Sequence, residues 1–107
     1  QTTAMLNRIV PKDVSGIYKI TNLLDKKCYI GRSVNVRQRL TQHIKSSIGL
    51  GTIADQRVHH AMRDEGLNNF MFELLEECDK DKLAEREKYY IKVFQSNIWG
   101  YNMSGGG

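Results

Sequence analysis

A chain of 107 residues, 40% apolar and 26% charged, suits a single domain with one hydrophobic core and needs neither disulfide staples nor a metal clip. No apolar run nears the roughly 20 residues of a membrane span, and the opening QTTAMLNRIV lacks the basic head and apolar core of a secretory signal. The net charge of +4 is unevenly spread: residues 26–54 hold six bases and no acid, while Glu73 to Glu87 holds seven acids against three bases.

Such a one-signed basic segment fits a polyanion, because each neutralised phosphate releases condensed counterions, and it also fits a solvated helix face. In chain order, residues 1–13 read as an N-terminal lead outside the fold. Residues 16–21 and 27–31, rich in Ile, Tyr and Thr and separated by a turn containing Asn22 and Asp25, predict an antiparallel hairpin. With the turn centred on Leu23 and Leu24, Tyr18 lies opposite Tyr29 and Ile17 opposite Ile30. Both phenols then share one face and both isoleucines the other.

Val36, Leu40 and Ile44 recur four apart and predict an amphipathic helix over 34–47, with Ser33 or Asn35 as N-cap. Arg39 and His43, also four apart, point the same way from the edge of its buried face. SSIGLGTI is a loop. A second helix is expected from Ala54 to Glu65, packing Val58, Ala61 and Met62 and stopped by Gly66. NNFMFELLEEC predicts a third strand in which Phe70, Phe72 and Leu74 share a face. Asp79 or Asp81 caps a last helix reaching Gln95, with a stripe of Leu83, Tyr90, Ile91 and Phe94. Trp99 and Tyr101 are then expected to pack back on the core, and residues 105–107 form a glycine tail or the start of a linker.

Glu87 breaks that stripe, standing four after Leu83 and four before Ile91. A glutamate there is a side chain snorkelling from the helix edge, a buried ion pair with an arginine, or an acid lining a cavity where it holds a metal. Cys28 and Cys78, in apolar strand-like contexts, read as buried free thiols in a reducing, intracellular setting, and no CxxC or paired His/Cys spacing suggests structural zinc.

GIY at 16–18 and YIG at 29–31, separated by ten residues, resemble the signature of the GIY-YIG nucleases. Arg39 with His43 on the following helix, Glu87 within EREKYYI and Asn102 within GYN fall where that family places its remaining motifs. The resemblance covers residues 15–104, and 14–104 is taken as the domain. Order and spacing are most similar to the nuclease domain of phage-type homing endonucleases, which continues through a linker into a separate DNA-binding region.

The resemblance implies a small α/β (α+β) fold, a three-stranded antiparallel sheet flanked by helices, that hydrolyses DNA phosphodiesters with one divalent cation. Glu87 is then the ligand of Mg²⁺ or Mn²⁺. Arg39 offers a planar fork to phosphate oxygens, and Tyr18 touches the attacking water. Tyr29 orients water or phosphate, His43 relays a proton or binds phosphate, and Asn102 hydrogen-bonds near the site. Gly31 lets backbone approach closely or simply ends a strand. Lys27, Arg32, Arg37 and Lys45 are the candidate DNA contacts.

One departure stands out. The phage enzymes carry a further histidine shortly before the second helix, where Ile53 aligns here. Either His59 or His60 can compensate, but adjacent helical residues cannot both face one site. The alternative function is a non-cleaving nucleic-acid-binding module, or a subunit of a DNA repair or restriction assembly.

Overall fold

The computed structural model describes residues 8–51, 53 and 56–105. The two Ile/Tyr-rich segments form β1 (Gly16–Asn22) and β2 (Cys28–Ser33), and the phenylalanine-bearing segment forms β3 (Phe70–Glu77). The sheet is antiparallel with order β2-β1-β3, so β1 is covered on both sides while β2 is an edge.

The hairpin register differs from the expected one by two residues: Tyr18 pairs with Gly31, Ile20 with Tyr29, and Ile17 with Arg32. The cause is a longer turn, centred between Leu24 and Asp25. Asn22 receives Lys26 N–H on its carbonyl at 2.8 Å and donates to Lys27 O at 2.8 Å, while its side chain accepts from Leu24 N–H at 2.9 Å. Lys26 takes the left-handed conformation this closure needs, at φ 67°. Because strand periodicity is two, a two-residue shift keeps every side chain on its expected face. Tyr18 and Tyr29 are therefore diagonal neighbours on one face, and Ile17 and Ile30 share the other.

Helix α1 (Val36–Ser47) starts at Asn35, whose side chain accepts from Gln38 N–H, and α2 (Arg57–Glu65) stops at Gly66. The expected start of α2 at Ala54 lies outside the described residues. Val36, Leu40, Ile44, Val58 and Met62 from these helices pack on Tyr18, Ile20, Phe70 and Phe72, burying the tyrosine face. Helix α3 (Leu83–Phe94) follows a 3-10 turn at Lys80–Lys82 and places Leu83 and Ile91 on Ile17, Cys28 and Ile30. The sheet is thus sandwiched between α1/α2 and α3. Arg86 holds α3 against β3 through a two-pronged bond to Glu76, which also accepts from the Tyr90 hydroxyl at 2.8 Å.

Three expectations need correction. Of the lead, only residues 8–13 are described, and there Val10 belongs to the fold: it is fully buried in the larger core, and its carbonyl accepts from Arg37 Nε at 2.8 Å. Trp99 does not pack back; it is 69% exposed on α4 (Ser96–Trp99), a single turn, with its indole N–H on Gln95. Tyr101 does return, accepting from Asn22 Nδ2 at 3.1 Å. Cys28 is a buried free thiol, whereas Cys78 is only half-buried.

Close approach requires glycine at Gly16 and Gly31. A Cβ on Gly16 would stand 2.1 Å from Glu76 O beside the β-bulge at Ile17/Tyr18, and one on Gly31 would stand 2.3 Å from the Tyr18 ring and hydroxyl. Tyr18 is 1% exposed and has no room to retreat. Gly31→Ala should therefore cost about 1–3 kcal/mol by overpacking, read as a lowered urea midpoint with unchanged slope; an unchanged midpoint would mean the ring moves freely.

Candidate active site

Tyr18, on the central strand, stretches across the bare Gly31 of the edge strand. Its Oη lies 2.7 Å from His43 Nε2 on α1, and His43 Nδ1 lies 2.7 Å from His59 Nε2 on α2. His59 Nδ1 in turn accepts the backbone N–H of Gln56 at 3.1 Å. Both imidazoles are fully buried. Tyr29 packs at the side of this row, tilted against Tyr18 with ring centroids 6.3 Å apart and edge-on to His43 at 5.4 Å.

The row opens into a cavity of about 340 Å³ whose lining includes Tyr18, Tyr29, Arg32, Arg39, Glu87 and Asn102, with Gln56. Tyrosines from one face of the sheet meet Glu87 of α3 from the other face because β2 is an edge. The pocket wraps that rim. Glu87, its side chain 13% exposed, receives Arg32 Nη1 at 3.3 Å, and the arginine side chain is 38% exposed. The stripe-breaking acid therefore combines two of its three readings: it lines a cavity and pairs with an arginine, and the pair reaches solvent on the arginine's side.

Asn102 hydrogen-bonds at the pocket's rim. Its Oδ1 accepts from Ile30 N–H and its Nδ2 donates to Ile30 O, each at 2.9 Å, so the amide is spent on closing the open edge of β2. Arg57 holds the Asn102 carbonyl at 2.7 Å. Of the four expected DNA contacts, only Arg32 lines the pocket. Lys27 is exposed at the hairpin turn, Lys45 is exposed in the last turn of α1, and Arg37 clasps Val10.

Sequence reasoning passed over Gln56, and it left His59 and His60 unresolved. His59 points in while His60 is exposed beside Arg63. The signal was present, since His59 precedes Met62 by three and so sits on the buried stripe of α2. Ile53, half-buried, contributes no imidazole at the aligned position.

The family model of the GIY-YIG catalytic domain matches residues 14–102. The chain belongs to the GIY-YIG family. It is 35% identical over 92 residues to intron-associated endonuclease 1 of Enterobacteria phage T4, covering 84% of this chain and 37% of that protein. It is 27% identical over 94 residues to the uncharacterized protein YurQ of Bacillus subtilis, covering 88% of this chain and 64% of YurQ. Among solved structures, the catalytic domain of the homing endonuclease I-TevI superposes with a TM-score of 0.72 at 33% identity, covering 84% of this chain and 98% of that one. A mutant of the same catalytic domain gives 0.74 at 32% identity, covering 88% and 97%. The chain spans little more than a third of the phage protein.

Burial dominates the electrostatics of this GIY-YIG site. It pushes the Tyr18 phenol well above its ordinary range; Tyr29 and Glu87 add to the rise, and the Arg39 guanidinium opposes it. Tyr29 is raised for the same first reason, with Glu87 next. Burial, then His59 and Arg39, lowers His43 from 6.5 to about 3. The unfolded chain therefore takes up a proton near pH 6.5 that the folded chain refuses until about 3. This contribution to stability is complete above pH 6.5 and is lost as pH falls toward 3. Wild type should thus lose stability through that window faster than His43→Phe, the difference approaching ~1 kcal/mol per pH unit. Urea unfolding of both at pH 7, 5.5 and 4.5 measures it; parallel slopes would mean His43 is charged in the fold.

Proposed function

We propose that this domain is a metal-dependent endonuclease that hydrolyses DNA phosphodiester bonds. What supports the reading is the meeting of Tyr18, Tyr29, Arg39 and Glu87 on one open pocket. A phosphodiester repels a nucleophile, so its hydrolysis needs cationic groups, an oriented water and a proton acceptor, and these four side chains supply the last two and part of the first.

The donor set fits a hard cation. Among the described residues no group of three or more His, Cys, Asp or Glu is arranged to hold a metal, which argues against a zinc-like cage. A single carboxylate in an open pocket suits Mg²⁺ or Mn²⁺, which keep most of their waters. Glu87 would hold the ion, which when bound would offset phosphate charge and stabilise the leaving 3′-oxygen.

The chain's own residues would do the rest. Arg39 grips phosphate oxygens with its planar fork and lowers the cost of charge on Tyr18. Tyr18 first releases its own proton to water in the open pocket, beside the Arg39 guanidinium that opposes the cost of the charge; its oxygen then accepts the proton of the attacking water as the new O–P bond forms, and the 3′-oxygen, as its bond to phosphorus breaks, takes a proton from pocket water. Tyr29 fixes the water or the phosphate from the side. Arg32 lies 3.3 Å from Glu87 and would be free to meet DNA were that carboxylate holding a cation.

That Arg32–Glu87 pair is also what a non-cleaving nucleic-acid-binding relative would keep, so one assay must separate the readings. Supercoiled plasmid incubated with the domain and Mg²⁺ should be nicked, chelator should stop it, and Glu87→Gln should lower the rate roughly 100-fold or more without loss of cooperative unfolding. Plasmid binding with no nicking in Mg²⁺ or Mn²⁺ would favour the binding module. Cleavage by the isolated domain should show little sequence preference, because none of the described helices stands clear of the core to serve as a recognition helix.

A further inference from the structure

The row Gln56–His59–His43–Tyr18 has one member whose hydrogen bond cannot be reversed. A backbone N–H only donates, so His59 Nδ1, 3.1 Å from Gln56 N, must be the bare acceptor nitrogen. A neutral His59 then carries its proton on Nε2, and at 2.7 Å from His43 Nδ1 it donates there. His43 is left with its own proton on Nε2, which faces the Tyr18 oxygen at 2.7 Å. The opposite polarity would put a proton on His59 Nδ1 head-on against the Gln56 N–H, in a site where both rings are fully buried.

The geometry points to His59 as a positioning residue: held by the Gln56 amide, it locks His43 as a donor to Tyr18, so the phenol accepts on its buried side and turns its own proton toward the pocket. The consequence rests on the nuclease reading above. His43 cannot take a proton from Tyr18, since the nitrogen facing the phenol is already protonated. The chain is therefore not a relay that drains the water's proton inward. It holds an oxygen whose negative charge, when the phenol ionises, meets an N–H strengthened by the two donors behind it. Without His59, His43 is free to flip tautomer, bare its Nε2 and turn the Tyr18 hydroxyl inward.

This assigns work to a residue on α2 that the motif order does not include, and it makes a prediction about hydrogens that is independent of activity. In ¹⁵N spectra of the folded wild-type domain with labelled histidine, His43 should carry its proton on Nε2 and leave Nδ1 bare. A wild-type His43 protonated on Nδ1 overturns the proposal by itself, whether or not the domain cuts DNA.

Two variants test the functional half. His59→Gln keeps an acceptor for the Gln56 amide and a donor for His43, and it should retain the His43 tautomer and cleave within about threefold of wild type. His59→Leu has neither group; if folded, it should lose the single tautomer and fall roughly 10- to 100-fold in kcat with little change in KM. Equal loss in both variants, or loss confined to KM, would assign His59 to packing. If neither wild type nor variant nicks plasmid while the tautomer is as stated, the polarity stands and the nuclease reading fails. Nicking by a wild type whose His43 carries the other tautomer would leave the nuclease reading standing and overturn the polarity.

Discussion

Tyr18 reaches the rim of the sheet because Gly31 has no side chain. The two are paired across the ladder, and a methyl group on the glycine would stand 2.3 Å from the phenol. Through that gap a residue of the central strand, 1% exposed and packed into the larger core, brings one oxygen to a pocket that solvent can enter. The last residue of the YIG triplet and the last of the GIY triplet are thus a single device. Core packing fixes where the hydroxyl stands, so little freedom is left to lose when substrate arrives.

The remaining groups are brought to that oxygen by elements with no local reason to meet. Arg39 and His43 come from α1 above one face, and Glu87 from α3 below the other. They converge because β2 is an edge, and the edge is kept from pairing with another chain by Asn102, whose amide bonds both backbone groups of Ile30. Tyr101 N–H adds a bond to Cys28 O at 2.9 Å on the same side. The C-terminal segment therefore works as a strap along the rim. The Arg86–Glu76 fork fixes the roll of α3 so that the adjacent Glu87 looks into the pocket, a geometric duty more than an energetic one for so exposed a pair.

Much of this was legible in the residues. The face shared by Tyr18 and Tyr29 followed from strand parity and survived a wrong register, since the error was two residues and the period is two. Glu87 announced itself by interrupting an apolar stripe. What failed to show was whatever depends on atoms meeting across the chain. The turn length was hidden in the side-chain bonds of Asn22, and Val10 carried no periodicity to mark it as core. Asn102 lines the pocket, as a residue bonding near the site should, but that its amide also clamps Ile30 was hidden, because the amide that serves a ligand serves an edge strand equally well. The choice between His59 and His60 was decidable from their distance to Met62, but the row that His59 completes needs three elements in place.

Charge alone was a poor guide to the surface. Arg37 and Lys45 belong to the basic segment, yet one holds the N-terminal lead and the other ends α1 away from the pocket. Of the bases in that segment, only Arg32 and Arg39 line the cavity.

The claim that three elements build one cation-binding pocket around the Tyr18 oxygen is tested most directly by titrating Mn²⁺ into the labelled domain and mapping the paramagnetic broadening of its resonances. Broadening centred on Tyr18, Tyr29 and Arg39, and abolished by Glu87→Gln, is the predicted result. Broadening centred instead on Asp79 and Asp81, or left unchanged by that substitution, would contradict it.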